Sequence, residues 1–258
     1  MKRSFLLAVT VLGGLLLIHA CSGDDGAIGV SGSSGADGSP QPMTVLLLGE
    51  DCGSVSPVAQ IMADMSKWGG FALGSTLNYI VVTDSVPPLS VLRMYDALLL
   101  WTNCQPNYPD SLGNVLADYV DAGGAMAICT YATHTMYGVT GRIMTAGYSP
   151  FVLGPSSSTF TNPKQVDFGA LATPLHKIFN GTDPSNLQYQ SNSNNTDGTL
   201  DATATAIAVD LDGENGIAVS ADGRIIGLAI WPRLQAGGGY TDALRLIGNA
   251  LACAAGKF

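Results

Sequence analysis

Three uninterrupted apolar runs constrain this chain more than any other feature: Met43–Gly49 (MTVLLLG), Tyr95–Thr102 (YDALLLWT) and Ala125–Thr130 (AMAICT). A strand with one wet face alternates apolar and polar residues. A continuous run suits a strand covered on both faces, as in a parallel sheet flanked by helices. The segments between the runs have helical spacing. In Pro57–Trp68, residues Val58, Ile61, Met62 and Met65 share a face, Ser56 is placed to cap, Pro57 suits the first turn, and Gly69-Gly70 stops the pattern. Tyr79–Thr83 reads as a further strand and Leu89–Met94 as a short helix. Asp110–Asp121 reads as a helix with Leu112, Val115, Leu116, Tyr119 and Val120 on one side. Strands alternating with helices predict an α/β fold with a mostly parallel sheet and right-handed crossovers.

Beyond Tyr137 the texture changes. Residues 138–200 are rich in Ser, Thr, Asn, Gly and Pro and read as an inserted loop/β region. From Ala202 the pattern is that of β-hairpins, with turns at Asp212-Gly213 and Asp222-Gly223. Asp210–Gly216 looks like half of a calcium loop, but Ala221 stands where the bidentate Glu belongs, so a hairpin turn is the expectation. A last helix begins at Thr241 and is closed by Gly256.

The N-terminus carries an address. Residues 1–20 have a basic start, Lys2-Arg3, and an apolar stretch from Phe5 to Ile18, shorter than the roughly 20 residues a spanning helix needs. The ending Ile18-His19-Ala20-Cys21 resembles the bacterial lipobox. That resemblance implies cleavage before Cys21 and diacylation (palmitate-type lipidation) of that cysteine. Several acyl chains anchor stably, each buried CH₂ adding roughly 0.8 kcal/mol. Ser22 matches outer-membrane sorting in a Gram-negative cell. Gly23, Gly26, Gly29, Gly32, Gly35 and Gly38 then keep a three-residue period similar to collagen-like tracts of some bacterial surface proteins. With Pro40 the lone proline in the last triplet, a flexible Gly/Ser tether is the plainer reading. The expected organisation is a signal peptide over 1–20, a lipidated tether over 21–42 and one α/β domain over 43–258, placed at the bacterial cell envelope. Charge excludes one class of partner. The chain has 20 acidic and 11 basic residues, and Lys2 and Arg3 leave with the signal, so the mature net charge is 9 minus 20, or −11. A nucleic-acid binder needs a basic face instead.

The order of motifs resembles the class I glutamine amidotransferase-like superfamily, a flavodoxin-like three-layer sandwich. Tyr95–Leu100 is similar to its "YDxLLLPGG" strand, Ala117–Gly124 to its "L…YV…GG" helix end, Ala127–Tyr131 to its "GICxG" elbow, and Gly227–Pro232 to its late strand ending "FHPE". His176–Gly181 and Asn249–Gly256 resemble a non-catalytic branch that includes trehalose-utilisation-type proteins. The resemblance puts Cys129 at the nucleophile position, with a following helix to lower its pKa. Yet Ala127 and Tyr131 replace elbow glycines, Trp231 stands where the family has its His, and Arg233 where it has its Glu. A thiolate mechanism needs a base and an orienting carboxylate. The expectation is therefore a non-catalytic binding or scaffolding module for a glycan or an envelope protein. The alternative is a cysteine-dependent hydrolase using Cys129 with His134 and Glu50. Tyr108, Tyr131 and Trp231 are the candidate ligand-contacting aromatics. No cofactor and no metal site is expected, since His134 and His176 lack carboxylates at ligand spacing. In flavodoxin-like order the first and third strands are neighbours, so the resemblance also implies a Cys52–Cys104 disulfide, leaving Cys129 and Cys253 as thiols.

Overall fold

A computed structural model describes residues 40–258 except 54, 156–163, 168–175, 184–186, 190–198, 211–212 and 233–239. The signal peptide, Cys21, the glycine-repeat tether, Asp212 and Arg233 fall outside the described residues.

The apolar runs form strands where expected. β1 (Thr44–Glu50), β3 (Ala97–Thr102) and β4 (Ala125–Cys129) are buried along almost their whole lengths, because helices cover both faces. The remaining strands are β2 (Thr76–Val81), β5 (Lys164–Asp167), β6 (Gln188–Tyr189), β7 (Thr205–Asp210), β8 (Asn215–Val219) and β9 (Ile225–Leu228). The helices are α1 (Ser56–Trp68), α2 (Leu89–Leu92), α3 (Pro109–Asp121) and α4 (Thr241–Ala254). The sheet order is β2-β1-β3-β4-β9-β8-β7-β5-β6. From β2 to β9 every pairing is parallel, the flavodoxin-like order. From β9 outward every pairing is antiparallel, and the two expected hairpin turns account for β9/β8 and β8/β7. β9 is thus the seam between the parallel half and the hairpin half.

Alternation along the strands splits the core into two layers. Val45, Leu47, Leu99, Trp101, Ala127 and Cys129 face α1 and α4. Leu46, Leu48, Leu98, Leu100, Met126 and Ile128 face α2 and α3. Helix starts differ in detail from the reading of the sequence. Val55 occupies the N-cap of α1 and Tyr240 that of α4, so neither Ser56 nor Thr241 is the cap, while Pro57 does sit in the first turn of α1. β2 is one edge of the sheet, and its six side chains, TLNYIV, are exposed or half-buried and carry no charge.

The inserted region is anchored from α4. Asn249 donates from Nδ2 to the carbonyls of Ile178 (3.0 Å) and Asn180 (2.8 Å). His176 caps the 3₁₀ turn Lys177–Phe179, its Nδ1 accepting from the Ile178 amide at 3.3 Å.

Candidate functional site

Ligands of open parallel sheets bind outside the carboxyl ends of the strands, at the point where the strand order reverses. Here that point lies between β1 and β3. The Cys52–Cys104 disulfide spans it, joining the loops that follow the two strands, with 5.1 Å between Cα atoms. Asn103 stitches the same loops twice: its amide donates to the Glu50 carbonyl (2.8 Å) and its Nδ2 to Asp51 Oδ1 (2.8 Å). The bridge implied by the resemblance is therefore present, and Cys129 and Cys253 remain buried thiols.

Glu50 is fully buried at the end of β1. Its carboxylate accepts from the Gly53 amide (3.1 Å) and from the Thr83 hydroxyl. These contacts tie the loop after β1 to the loop after β2. Strand register puts Glu50 opposite Thr102, in phase with Leu46 and Leu48, on the α2/α3 face. Cys129 belongs to the α1/α4 layer, with β3 between its strand and β1. The acid and the sulfur thus lie on opposite faces of the sheet, two strand spacings apart, each spacing about 4.8 Å. The proposed Cys129–His134–Glu50 set is not brought together.

The elbow after β4 also departs from expectation. No helix follows Cys129. The chain turns back on itself, with Ala132 N–H bonded to Cys129 O (2.9 Å), His134 N–H to Tyr131 O (2.8 Å) and Val139 N–H to Ala132 O (3.0 Å). The helix terminus that was to lower the thiol pKa is absent from this place. Burial instead pushes the Cys129 thiol far up, with no neighbouring charge or hydrogen bond to oppose it.

Two of the three candidate ligand-contacting aromatics are inside. Tyr131 and Trp231 are buried and meet edge to face, ring centroids 5.6 Å apart. His134, also buried, stacks on Tyr137 at 4.8 Å and meets Tyr131 edge-on at 5.9 Å. Trp231 is therefore part of the apolar core. Tyr108 is exposed as expected, and Val55 and Met136 join it among the exposed large apolar side chains of the loops at the carboxyl ends. The last two carry no local sequence signal, since their neighbours decide their exposure. Among the described residues no three His, Cys, Asp or Glu side chains gather as a metal site, and Asp210 accepts from the Glu214 amide as a hairpin turn requires.

His134 gives a pH prediction. Its Nδ1 accepts from the Met136 amide at 3.0 Å, which requires that nitrogen to be unprotonated. Burial lowers its pKa below the usual 6.5. Below pH about 6.5 the unfolded chain binds this proton and the folded chain resists it, so stability is full above that pH and falls as pH drops. The unfolding free energy from urea titrations should decline between pH 7.5 and 5.5, by at most about 1.4 kcal/mol per pH unit. His134→Asn should flatten that decline. An unchanged slope in the variant would show that another group is responsible.

The strand order and the two helical layers define a flavodoxin-like α/β domain with a glutamine amidotransferase-like fold. The particular proteins it is similar to are solved structures at low sequence identity. One is a ThuA-like protein from Parabacteroides merdae, with TM-score 0.51 and 13% identity over 84% of this chain and 91% of that one. Another is a ThuA-like protein from Bacteroides uniformis, with TM-score 0.51 and 10% identity over 84% and 93%. A GMP synthase component from Thermoplasma acidophilum gives 0.47 and 15% over 81% and 94%. No protein-family model matches the chain, and no curated protein matches it in sequence.

Proposed function

We propose that this chain is a lipid-anchored envelope protein whose amidotransferase-like domain binds a partner rather than turning over a substrate. The observation that carries this reading is the state of Cys129. Its thiol is 1% exposed, shifted away from ionisation by burial alone, and has Glu50 on the far face of the sheet. A cysteine nucleophile needs thiolate character and access, and both are missing. Cys21 would carry the anchor. The exposed Val55, Tyr108 and Met136 supply contact area at the carboxyl ends, the end where ligands of this fold sit. An envelope protein or a glycan is the partner chemistry this surface accommodates.

Alkylation tests the reading. In the native protein at pH 7, iodoacetamide should leave Cys129 unmodified while a small free thiol reacts to completion, and urea should expose it. Rapid modification of Cys129 below the ordinary thiol pKa of about 8.5, slowed in His134→Ala, would establish the hydrolase alternative instead.

A further inference from the structure

We infer that the amino-end face of the sheet is a membrane-seating surface, which rests on the lipid anchor proposed above. The described chain enters at this end, through Pro40–Met43 into β1. Two exposed apolar side chains flank the entry. Leu73 is 98% exposed and Met94 64%. Gly74, beside Leu73, lies so close to Pro42 that a Cβ on it would stand 3.8 Å from that ring, and the Met94 carbonyl accepts from the Thr44 hydroxyl at 3.5 Å. Both therefore stand on loops next to the first residues of β1.

Leu73 is not a stray surface leucine. Ser75 N–H bonds to Ala72 O at 3.1 Å, closing a four-residue turn with Leu73 and Gly74 at its centre and Gly74 at φ +93°. That places Leu73 at the tip, where turns ordinarily carry polar residues. An apolar tip beside an anchored tether matches the way peripheral proteins insert side chains at the headgroup boundary.

Charge agrees. The mature chain is strongly acidic, yet Arg93, next to Met94, is exposed and in no ion pair among the described residues. Asp96, the nearest carboxylate in sequence, is met by Lys257 at 3.3 Å. Further along the same end Arg142 meets Asp118 and Asp121. Arg93, Arg142 and Lys257 balance Asp96, Asp118 and Asp121, so these groups sum to zero where the mature chain as a whole is strongly negative and would repel anionic lipid. Residues 21–39 span nineteen positions, so Cys21 can lie at most about 65 Å from the domain. Tethering at that range makes even a weak second contact effective, because it is intramolecular. The occupant is an anionic bilayer, and the carboxyl-end loops are left facing away from it.

The full-length acylated protein, reconstituted in phosphatidylglycerol/phosphatidylethanolamine vesicles, tests this. A solvent-sensitive fluorophore is placed on Leu73→Cys or, at the opposite end, on Val55→Cys, the native thiols Cys129 and Cys253 being buried. The expected result is loss of iodide quenching and a blue shift at position 73 but not at 55, reduced by Arg93→Glu. Flotation with the vesicles but equal quenching at both positions would overturn the seating and leave the anchor standing. Failure to float would remove the anchor and the seating together. Shielding at 73 that grows with chains per vesicle, not with anionic lipid, would give the face to a second copy and overturn the membrane assignment.

Discussion

Cys104→Ser should lower the unfolding free energy by about 4 kcal/mol, the largest loss expected from any exposed or half-buried position. The bridge closes a segment of 52 residues that contains α1, β2, α2 and β3, and opening it returns that much freedom to the unfolded chain. The folded state loses more than a covalent bond. Cys52 holds φ +55°, the one non-glycine left-handed residue among those described, and it is one end of the bridge. Urea denaturation of the variant and of the reduced wild type should give the same shifted midpoint. A loss under about 1 kcal/mol would mean that the Asn103 hydrogen bonds alone hold the two loops.

Gly248→Ala is expected to cost about 3 kcal/mol or more, although alanine is the better helix former by about 1 kcal/mol. A Cβ at this position would lie 1.7 Å from the carbonyl oxygen of Gly69. The obstacle is backbone, so no side chain can rotate away, and α4 would have to lift from the end of α1. Gly113→Ala meets the same obstacle at Thr140 O, also 1.7 Å. Thermal midpoints measure both. Stabilisation in either variant would show that the backbone facing that glycine can move away freely and that the close approach is not needed.

These two sites also mark what could be read in advance. The strands of the parallel half were legible because continuous apolar runs have few other uses. The hairpins were legible because Asp-Gly pairs demand the left-handed conformation found at Gly213 and Gly223. The disulfide followed once strand order was supplied by resemblance. Two segments distant in the chain, around His176 and Asn249, turn out to touch: the Asn249 amide holds the carbonyls of Ile178 and Asn180. The site was less legible. Whether Tyr131 and Trp231 face water depends on chain returning from far away in sequence, and nothing local separates a buried tyrosine from a wet one. The missing helix after Cys129 escaped for the same reason. Residues 130–137 lack a breaker, and what turns the chain is a close return at Gly138, where a Cβ would meet Ala132 O at 2.4 Å. Which face Glu50 occupies needed only parity, counted from Leu46 and Leu48, once β1 was placed.

β2 closes the sheet on one side with a strand that has neither a lysine nor a proline to discourage company. Its outward peptide groups offer a template to any extended backbone that comes near. At high protein concentration, that rim is where one molecule would find another. Asn78→Lys would be the simplest way to keep concentrated preparations apart.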